Sequence, residues 1–218
     1  MAENWRIALV DSCGSWPGAE TARRFTRAGD RIAETDPIDD GSGHGTRLAG
    51  VINAGRESIA LMLAQVLDDV GRGSADVVAA GIDWCVGNGV DLIHLSLGLR
   101  ADRESLRCAI RRAIDADCIV VAATPARGTV PYPAAYEGVI RGTGDARCAP
   151  DVVSRLDEWT FGGCVTAPGS SGGGASLGAA HVTRALISAT SPCGHARAIA
   201  ALDSAVAWRG RERREAGN

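Results

Sequence analysis

Short apolar runs alternate with amphipathic stretches along the whole chain. Runs rich in Val, Ile, Leu and Ala predict buried strands at residues 6–10, 59–67, 90–98, 118–124 and 138–144. Apolar residues at helical spacing predict helices at residues 45–55, 74–89, 103–117, 176–190 and 195–208. The run at 59–67 is ambiguous, because its Leu, Met and Ala would also suit a helix. Strands that alternate with helices of this length predict an α/β fold with a doubly wound, mostly parallel sheet flanked by helices.

Nothing in the sequence divides the chain into separate units. It has 218 residues, which suits one large domain, and it contains no internal repeat, linker or low-complexity block. We therefore predict a single domain over residues 1–208. The segment 209–218, RGRERREAGN, interleaves four arginines with two glutamates. It is predicted to be a frayed, solvated tail rather than a nucleic-acid-binding arm.

Composition narrows the expected partners and location. The chain is 45% hydrophobic and 22% charged with a formal net charge of −3, which gives no reason to expect a nucleic-acid or membrane partner. Its seven cysteines are odd in number and form no C-x-x-C pair, so neither a zinc site nor a disulfide framework is expected. The first residues, MAENWRIALVDS, do not resemble a signal peptide. Together these features favour a cytoplasmic protein with reduced thiols.

Three polar residues stand where predicted elements end or begin. Asp11 follows the first strand, His44 lies between two glycines at the start of a helix, and Ser176 lies where the loop SSGGGAS enters a helix. In a parallel sheet the carboxyl ends of the strands meet at one edge, where the chemistry of such folds is found. Taken alone, the stretch GSGHGTRLAGVI leaves three roles open for His44: a turn residue, a metal ligand or a catalytic base. A hydroxyl, an imidazole and a carboxylate are the groups that nucleophilic acyl transfer requires.

The motifs around these residues resemble those of the subtilisin-like serine protease family. RIALVDSCG resembles the family's aspartate motif, GSGHGTRLAGVI its histidine motif and GASLGAAHV its serine motif, in the same order along the chain. The stretch QVLDDVGRGSADVVAAGIDWCVGNGVDLIHLSLG is also similar to the family. The resemblance implies a catalytic triad of Asp11, His44 and Ser176, with His181 as the structural histidine of the serine motif. His94 and His195 match nothing catalytic and are expected to be core or surface residues.

One part of the family pattern is missing from this chain. The family completes its oxyanion hole with an asparagine amide, and in the matching stretch VAATPARG that position is occupied by Ala126. No Asn or Gln occurs from residue 89 to residue 217, so no nearby amide can replace it. The backbone N–H of Ser176 remains as a donor, and the side chains of Thr124 and Arg127 are candidate substitutes. We expect weakened activity.

The resemblance also implies where a peptide would bind. An extended substrate is expected to pair with one segment on each side of a groove, and a proline is expected to make the specificity pocket smaller. The residues concerned are Ser96, Leu97 and Gly98 on one side, Ala122, Ala123 and Thr124 on the other, and Pro131 at the pocket. The connection between VINAG and LMLAQVLD is shorter than in the family, so the family's calcium-binding loop is expected to be absent. No propeptide is expected before the first strand.

These features predict a compact serine endopeptidase that needs no metal and no cofactor. Its substrate would be a peptide, and a dedicated step such as removing a leader from a precursor peptide would suit the altered oxyanion region. Two alternatives stay open. The chain can be a catalytically impaired peptide-binding subunit of a partner protein, or an acyl transferase that passes the peptide to an amine instead of water.

Overall fold

The computed structural model describes residues 4–54, 59–167 and 174–211. Within these ranges the helices are α1 (His44–Asn53), α2 (Ala75–Gly87), α3 (Glu104–Asp115), α4 (Ala175–Ala189) and α5 (His195–Ser204). The strands are β1 (Trp5–Asp11), β2 (Ala19–Ala28), β3 (Arg31–Thr35), β4 (Ile59–Gln65), β5 (Leu92–Leu95), β6 (Ile119–Ala123), β7 (Val139–Gly144), β8 (Val153–Arg155), β9 (Thr160–Gly163) and β10 (Val206–Arg209).

One sheet joins all the described strands. Their order across it is β10-β8-β9-β7-β6-β5-β1-β4-β2-β3. Strand β1 lies inside the sheet and runs parallel to both of its neighbours, β4 and β5. Among the described strands, only the pairs β2–β3 and β8–β9 are antiparallel. The predicted α/β fold with a mostly parallel sheet is therefore confirmed.

Helices cover both faces of the sheet. Helices α1, α4 and α5 pack on one face, and α2 and α3 pack on the other. Side chains of the inner strands alternate between these two cores, so that Ile7 and Leu9 face α1 and α4 whereas Ala8 and Val10 face α2 and α3. By the same alternation Asp11, the last residue of β1, belongs to the face of α1 and α4.

Most elements form where the periodicity predicts them. The five apolar runs all contain strands, and the ambiguous run at 59–67 is strand β4. The helices predicted at 45–55, 74–89, 103–117 and 176–190 are confirmed to within two residues at each end. The start of α2 has the expected cap, because the Ser74 hydroxyl accepts a 3.4 Å hydrogen bond from the Val77 N–H.

Two regions were not predicted correctly. The helix expected to reach residue 208 ends at Ser204, and residues 206–209 form β10, which pairs with the distant strand β8. The hairpin of β2 and β3 at the sheet edge was not predicted, because only Phe25 of its residues is fully buried and it therefore shows no apolar run. Arg209 is the last residue of β10, and residues 212–218 of the predicted tail lie outside the described residues. The single domain and its tail stay predictions.

Glycines let α4 lie directly on the backbone of the sheet. A Cβ atom on Gly178 of α4 would come within 2.1 Å of the Thr143 carbonyl oxygen in β7. A Cβ on Gly142 of β7 would lie 2.5 Å from the Ala179 Cα, and one on Gly163 of β9 would lie 2.4 Å from the Gly178 carbonyl oxygen. No side chain fits at these positions, so the contacts fix the height of α4 above β7 and β9.

We expect Gly178→Ala to lower the free energy of unfolding by about 1–3 kcal/mol, because the new methyl group would collide with backbone atoms that cannot rotate away. Urea denaturation measures this change. Gly87→Ala at the end of α2 is the matched control, since a Cβ there meets nothing within 4 Å. Equal effects of the two substitutions would contradict the close approach of α4.

Candidate active site

Asp11 is a completely buried carboxylate at the end of β1. Its side chain is 0% exposed. The Oδ1 atom accepts hydrogen bonds from the Ser12 backbone N–H at 2.8 Å and from the Ser12 hydroxyl at 3.1 Å. The same oxygen lies 2.7 Å from Nδ1 of His44. Asp11 thus holds one ring nitrogen of His44 and leaves the other nitrogen, Nε2, available for proton transfer.

His44 is the first residue of α1, and Asp40 holds this helix start in place. Gly43, the residue before His44, has a φ of 64°, in the left-handed region that favours glycine. One oxygen of Asp40 accepts from the Gly43 N–H at 2.9 Å and the Ser42 hydroxyl at 2.8 Å. The other accepts from the Thr46 N–H at 2.8 Å and the Thr46 hydroxyl at 2.7 Å. Asp40 therefore caps α1, which Gly43 cannot do because it has no side chain.

Contacts within the site shift the pKa values of His44 and Asp40 in opposite directions. The hydrogen bond to Asp11 raises the pKa of His44 above its ordinary value of 6.5, and burial of the ring opposes this only in part. Burial pushes the pKa of Asp40 upward, but hydrogen bonds from Thr46 and Ser42 outweigh it, so this pKa lies below its ordinary value. The imidazole of His44 is 35% exposed, so a substrate can reach it.

A close contact between α1 and β1 sets the distance between His44 and Asp11. The Gly45 N–H donates to the Ser12 hydroxyl at 3.0 Å. A Cβ on Gly45 would lie 2.4 Å from the backbone nitrogen of Cys13. Cys13 itself is fully buried, and burial raises the pKa of its thiol to about 11. Cys13 therefore packs beneath the start of α1 and does not act as a nucleophile.

Ser176 is the second residue of α4, whose start lies at the same edge of the sheet. Helices α1 and α4 pack against each other, and both begin beside the carboxyl ends of the central strands. The first N–H groups of α4 have no partner within the helix, and the helix dipole favours negative charge there. His181 lies further along α4 and its Nε2 atom is 2.9 Å from the Thr166 carbonyl oxygen, which agrees with the structural role expected for it. The loop residues 168–173 lie outside the described residues.

Ala126 faces an open cavity next to Ser176. This cavity of about 530 Å³ is lined by Pro125, Ala126, Thr143, Gly144, Val165, Gly174 and Ala175. Ala175, which immediately precedes Ser176, lines the same cavity as Ala126. Ala126 therefore lies near the candidate nucleophile, and it has no side-chain amide. The hydroxyls of Thr124 and Thr143 are buried and have no hydrogen-bond partner among the described residues. Arg127 lines a neighbouring cavity of about 250 Å³ instead.

A third cavity includes His44 in its lining. It measures about 370 Å³ and is lined by His44, Leu67, Gly71, Arg72, Gly73, Val78, Ser96, Leu97, Gly98 and Leu99. The expected segment 96–98 thus forms one wall of a cleft at His44. The segment 71–73, GRG, also lines this cavity and was not among the predicted site residues. The pair of glycines was its only signal in the sequence.

The expected pairing of a substrate with Ala122, Ala123 and Thr124 needs correction at Ala122. Within β6, Ala122 is level with Leu95 of β5 on one side and with Arg141 of β7 on the other, so it has no free edge to which a peptide could add. Ala123 is paired with Gly142 of β7, and the Thr124 N–H donates to the Gly142 carbonyl oxygen at 2.8 Å. The pairing with β5 ends at Ala122, so substrate pairing at Ala123 and Thr124 stays a prediction.

Pro131 packs against the wall of the cleft formed by residues 96–98. A Cβ on Gly98 would lie 3.1 Å from Cβ and Cγ of Pro131. The next residues on each side, Leu99 and Tyr132, exchange backbone hydrogen bonds of 2.7 Å and 2.9 Å. Pro131 is thus held next to Gly98, which lines the cleft.

Two further features are absent from the described residues. These residues contain no cluster of three or more His, Cys, Asp or Glu side chains that could hold a metal ion. In the same residues, none of the helices is both long enough and apolar enough to cross a membrane.

Comparison with known proteins places these residues in a family context. A sequence model described as the subtilase family of peptidases matches residues 17–202, a range that includes His44 and Ser176. Subtilisin NAT of Bacillus subtilis subsp. natto is 32% identical over 178 residues, which are 70% of this chain and 47% of the relative. Subtilisin of Bacillus pumilus is 36% identical over 123 residues, 50% of this chain and 45% of the relative. The minor extracellular protease Epr of Bacillus subtilis (strain 168) is 32% identical over 152 residues, 63% of this chain and 23% of the relative. The chain spans less than half the length of these relatives.

We expect Asp40→Ala to destabilise the protein by about 1–2 kcal/mol, because it removes the cap of α1. It should also slow any reaction that depends on His44, the first residue of that helix. Urea denaturation measures the first effect. Asp39→Ala is the matched control, since Asp39 is the exposed neighbour of Asp40. A loss of stability as large in the control as in Asp40→Ala would contradict the capping role.

Proposed function

Because this chain belongs to the subtilase family, we propose that it is a serine peptidase with Asp11, His44 and Ser176 as its catalytic triad. The observation that carries the proposal is the 2.7 Å contact between Asp11 Oδ1 and His44 Nδ1 at the first residue of α1. This helix packs against α4, which carries Ser176 near its start. A buried carboxylate that orients an imidazole, next to a helix that begins with Ser176, supports this assignment.

The proposed mechanism follows from these positions. The Ser176 hydroxyl attacks the carbonyl carbon of a peptide bond and gives its proton to Nε2 of His44. Asp11 orients the ring and stabilises the imidazolium while it exists. His44 then passes the proton to the leaving amine, and a water molecule attacks the acyl group on Ser176 in the reverse sense. The N–H groups at the start of α4 face the oxygen that becomes negative.

A peptide would bind in extended form in the cleft beside His44. Residues 96–98 and 71–73 both line this cleft and supply backbone groups with which an extended peptide can pair. Pro131 beside Gly98 favours a small substrate side chain at the neighbouring position. This restriction on the size of a substrate side chain supports a dedicated processing step over general proteolysis. Removing a leader from a precursor peptide would be such a step. The seven cysteines are all free thiols, which is consistent with a reducing, cytoplasmic location for this step.

Ala126 supports one alternative function. A single side-chain donor in the oxyanion hole is worth about 10²–10³ in kcat, a figure that itself comes from a subtilisin. Without that donor the chain can act as a peptide-binding subunit whose catalysis is negligible. Transfer of the acyl group from Ser176 to an amine is a further alternative that uses the same triad. Hydrolysis is the leading proposal over peptide binding alone, because a buried carboxylate that orients a partly exposed imidazole serves proton transfer, which binding does not require.

Labelling with a peptidyl phosphonate tests the proposed nucleophile. We expect a mass increase on the peptide that contains Ser176, none in Ser176→Ala, and unchanged labelling in Ser204→Ala, a serine at the end of α5. The labelling rate should rise with pH through a midpoint above 6.5, because a protonated His44 cannot accept the proton and its pKa is raised by the hydrogen bond to Asp11. Labelling elsewhere, or labelling that persists in His44→Ala, would contradict the proposal. An unlabelled protein that still binds peptide in the cleft would favour the binding subunit.

Restoring an amide at residue 126 tests the role of the oxyanion region. We expect Ala126→Asn to raise kcat by about 10²–10³ with little change in KM, because the donor acts on charge that develops in the transition state. Ala126→Leu has a similar volume and no donor, so it should not raise kcat. Similar kcat values for the two variants would mean that another group, such as Thr124, already serves as the donor.

A further inference from the structure

A fourth cavity adjoins the cleft at His44 and contains three arginines in its lining. This arginine cavity measures about 210 Å³, and the arginines are Arg24, Arg27 and Arg72. Three residues line both the arginine cavity and the cleft: Leu67, Arg72 and Gly73. Among the described residues, Asp68 is the one acidic residue in the lining. Because the whole chain has a formal net charge of −3, the excess of positive charge is a local feature of this cavity.

The segment shared by the two spaces is tied to the backbone of Asp11. The N–H groups of Val66 and Leu67 donate to the Asp11 carbonyl oxygen at 2.8 Å and 3.3 Å. A Cβ on Gly73 would lie 2.5 Å from the Val66 carbonyl oxygen, so the residue after Arg72 packs directly on this backbone. These contacts fix the place of Arg72 relative to the acid–base pair of Asp11 and its partner His44.

A tight turn at residues 68–72 holds the backbone of Arg72. The Asp68 N–H donates to the Arg72 carbonyl oxygen at 2.9 Å, and the Gly71 N–H donates to the Asp68 carbonyl oxygen at 2.9 Å. Oδ1 of Asp68 accepts from the N–H groups of Val70 at 3.0 Å and Arg72 at 2.8 Å. The Asp68 carboxylate is thus used inside the turn, as aspartate side chains often are.

Two of the three arginines have no acidic partner in the part of the chain that the structure describes. The guanidinium of Arg27 forms an ion pair with Asp76, in the first turn of α2. Arg24 is half-buried and Arg72 is exposed, and neither forms an ion pair with a described residue. The positive charge of Arg24 and Arg72 is therefore available to a bound anion.

The size and charge of the arginine cavity fit a single carboxylate side chain. A guanidinium presents parallel N–H donors that match the two oxygens of a carboxylate. At about 210 Å³ the cavity is smaller than the roughly 300 Å³ at which sites for drug-sized ligands begin, so it suits one side chain of a longer ligand. An extended peptide directs alternate side chains to the same side, so a peptide in the adjoining cleft can place one of them beside residues 71–73.

We propose that Arg72, assisted by Arg24, selects peptides that carry an Asp or Glu side chain at the position bound beside residues 71–73. The inference rests on the proposed function, because it names the class of substrate for the same cleft. Arg72 binds the carboxylate from the wall that the cleft and the arginine cavity share, and Arg24 adds a second positive charge from β2. The substrate is thus an acidic peptide, and Arg72 determines specificity without taking part in bond cleavage.

Cleavage of matched peptides by the wild-type chain tests this specificity. The probes are mixtures of short peptides with both ends blocked, so that the termini carry no charge, and with Glu, Gln or Lys fixed at one position at a time. At one position we expect kcat/KM to be higher for Glu than for Gln by about fivefold for each arginine that binds the carboxylate, the upper range for a partly exposed ion pair. Lys should be the least favoured residue there. Raising the salt from about 0.1 M to about 1 M should reduce the preference for Glu, because exposed charges are screened.

Variants of the two arginines assign the preference to the arginine cavity. We expect Arg72→Gln to lose most of the difference between Glu and Gln peptides, because the positive charge on the shared wall is gone. Arg72→Glu should reverse the order, so that Lys is preferred, and Arg72→Lys should keep Glu ahead of Gln because it keeps the charge. Arg24→Gln should reduce the preference in part. Arg111→Gln is the matched control, since Arg111 of α3 is also exposed and lines neither the cavity nor the cleft.

Binding of the same probes to the Ser176→Ala protein separates this inference from the proposed function. Mass spectrometry of the retained peptides should show Glu enriched over Gln at the same position. Equal treatment of Glu and Gln at every position, a preference that persists in Arg72→Gln, or an equal loss in Arg111→Gln would overturn the inference. Acidic peptides that are retained through Arg72 but never cleaved would overturn the proposed function and leave the selection by Arg72 in place. If Arg72→Glu is too unstable to study, Arg72→Gln and Arg72→Lys carry the same comparison.

Discussion

The buried carboxylate of Asp11, at the end of an internal strand, governs the arrangement of the candidate site. Asp11 ends an internal strand and has no exposed surface. Burying a carboxylate costs several kcal/mol unless hydrogen bonds and an opposite charge compensate for it. Ser12 supplies two donors and His44 supplies an imidazole whose protonated form the carboxylate favours. The start of α1 must therefore bring His44 to Asp11, and the cap by Asp40 and the turn at Gly43 hold the start of that helix in place.

The second governing constraint is the close approach of α4 to the sheet. Gly142, Gly163 and Gly178 remove the side chains that would otherwise separate the helix from β7 and β9. Direct backbone contact leaves little freedom for α4 to move. The position of Ser176, near the start of this helix, is therefore fixed relative to the sheet. The candidate base, His44, and the candidate nucleophile, Ser176, are thus both positioned by backbone contacts close to the sheet.

The triad positions and the oxyanion region depend on different parts of the fold. Asp11, His44 and Ser176 are set by β1 and by the starts of α1 and α4, whereas Ala126 belongs to the loop after β6. That loop can lose a donor without disturbing the contact between Asp11 and His44. This separation is consistent with the proposal that the chain keeps the Asp11–His44 pair while Ala126 supplies no side-chain amide. Pro131 adds a second departure on the substrate side, again without touching the acid–base pair.

The sequence by itself determined the fold class, most elements and the three candidate triad residues. Helical and strand periodicities are local patterns, and Asp11, His44 and Ser176 stand at element ends that a parallel sheet brings to one edge. The tertiary structure alone decided which segments become neighbours. It paired residues 206–209 with β8, formed the edge hairpin β2–β3, and brought residues 71–73 and 96–98 to one cavity. It also enclosed β6 between two strands and brought His94 against Thr183. Those contacts join residues that are far apart in the chain. They are stabilised by burial and strand pairing between distant segments, which no local sequence pattern predicts.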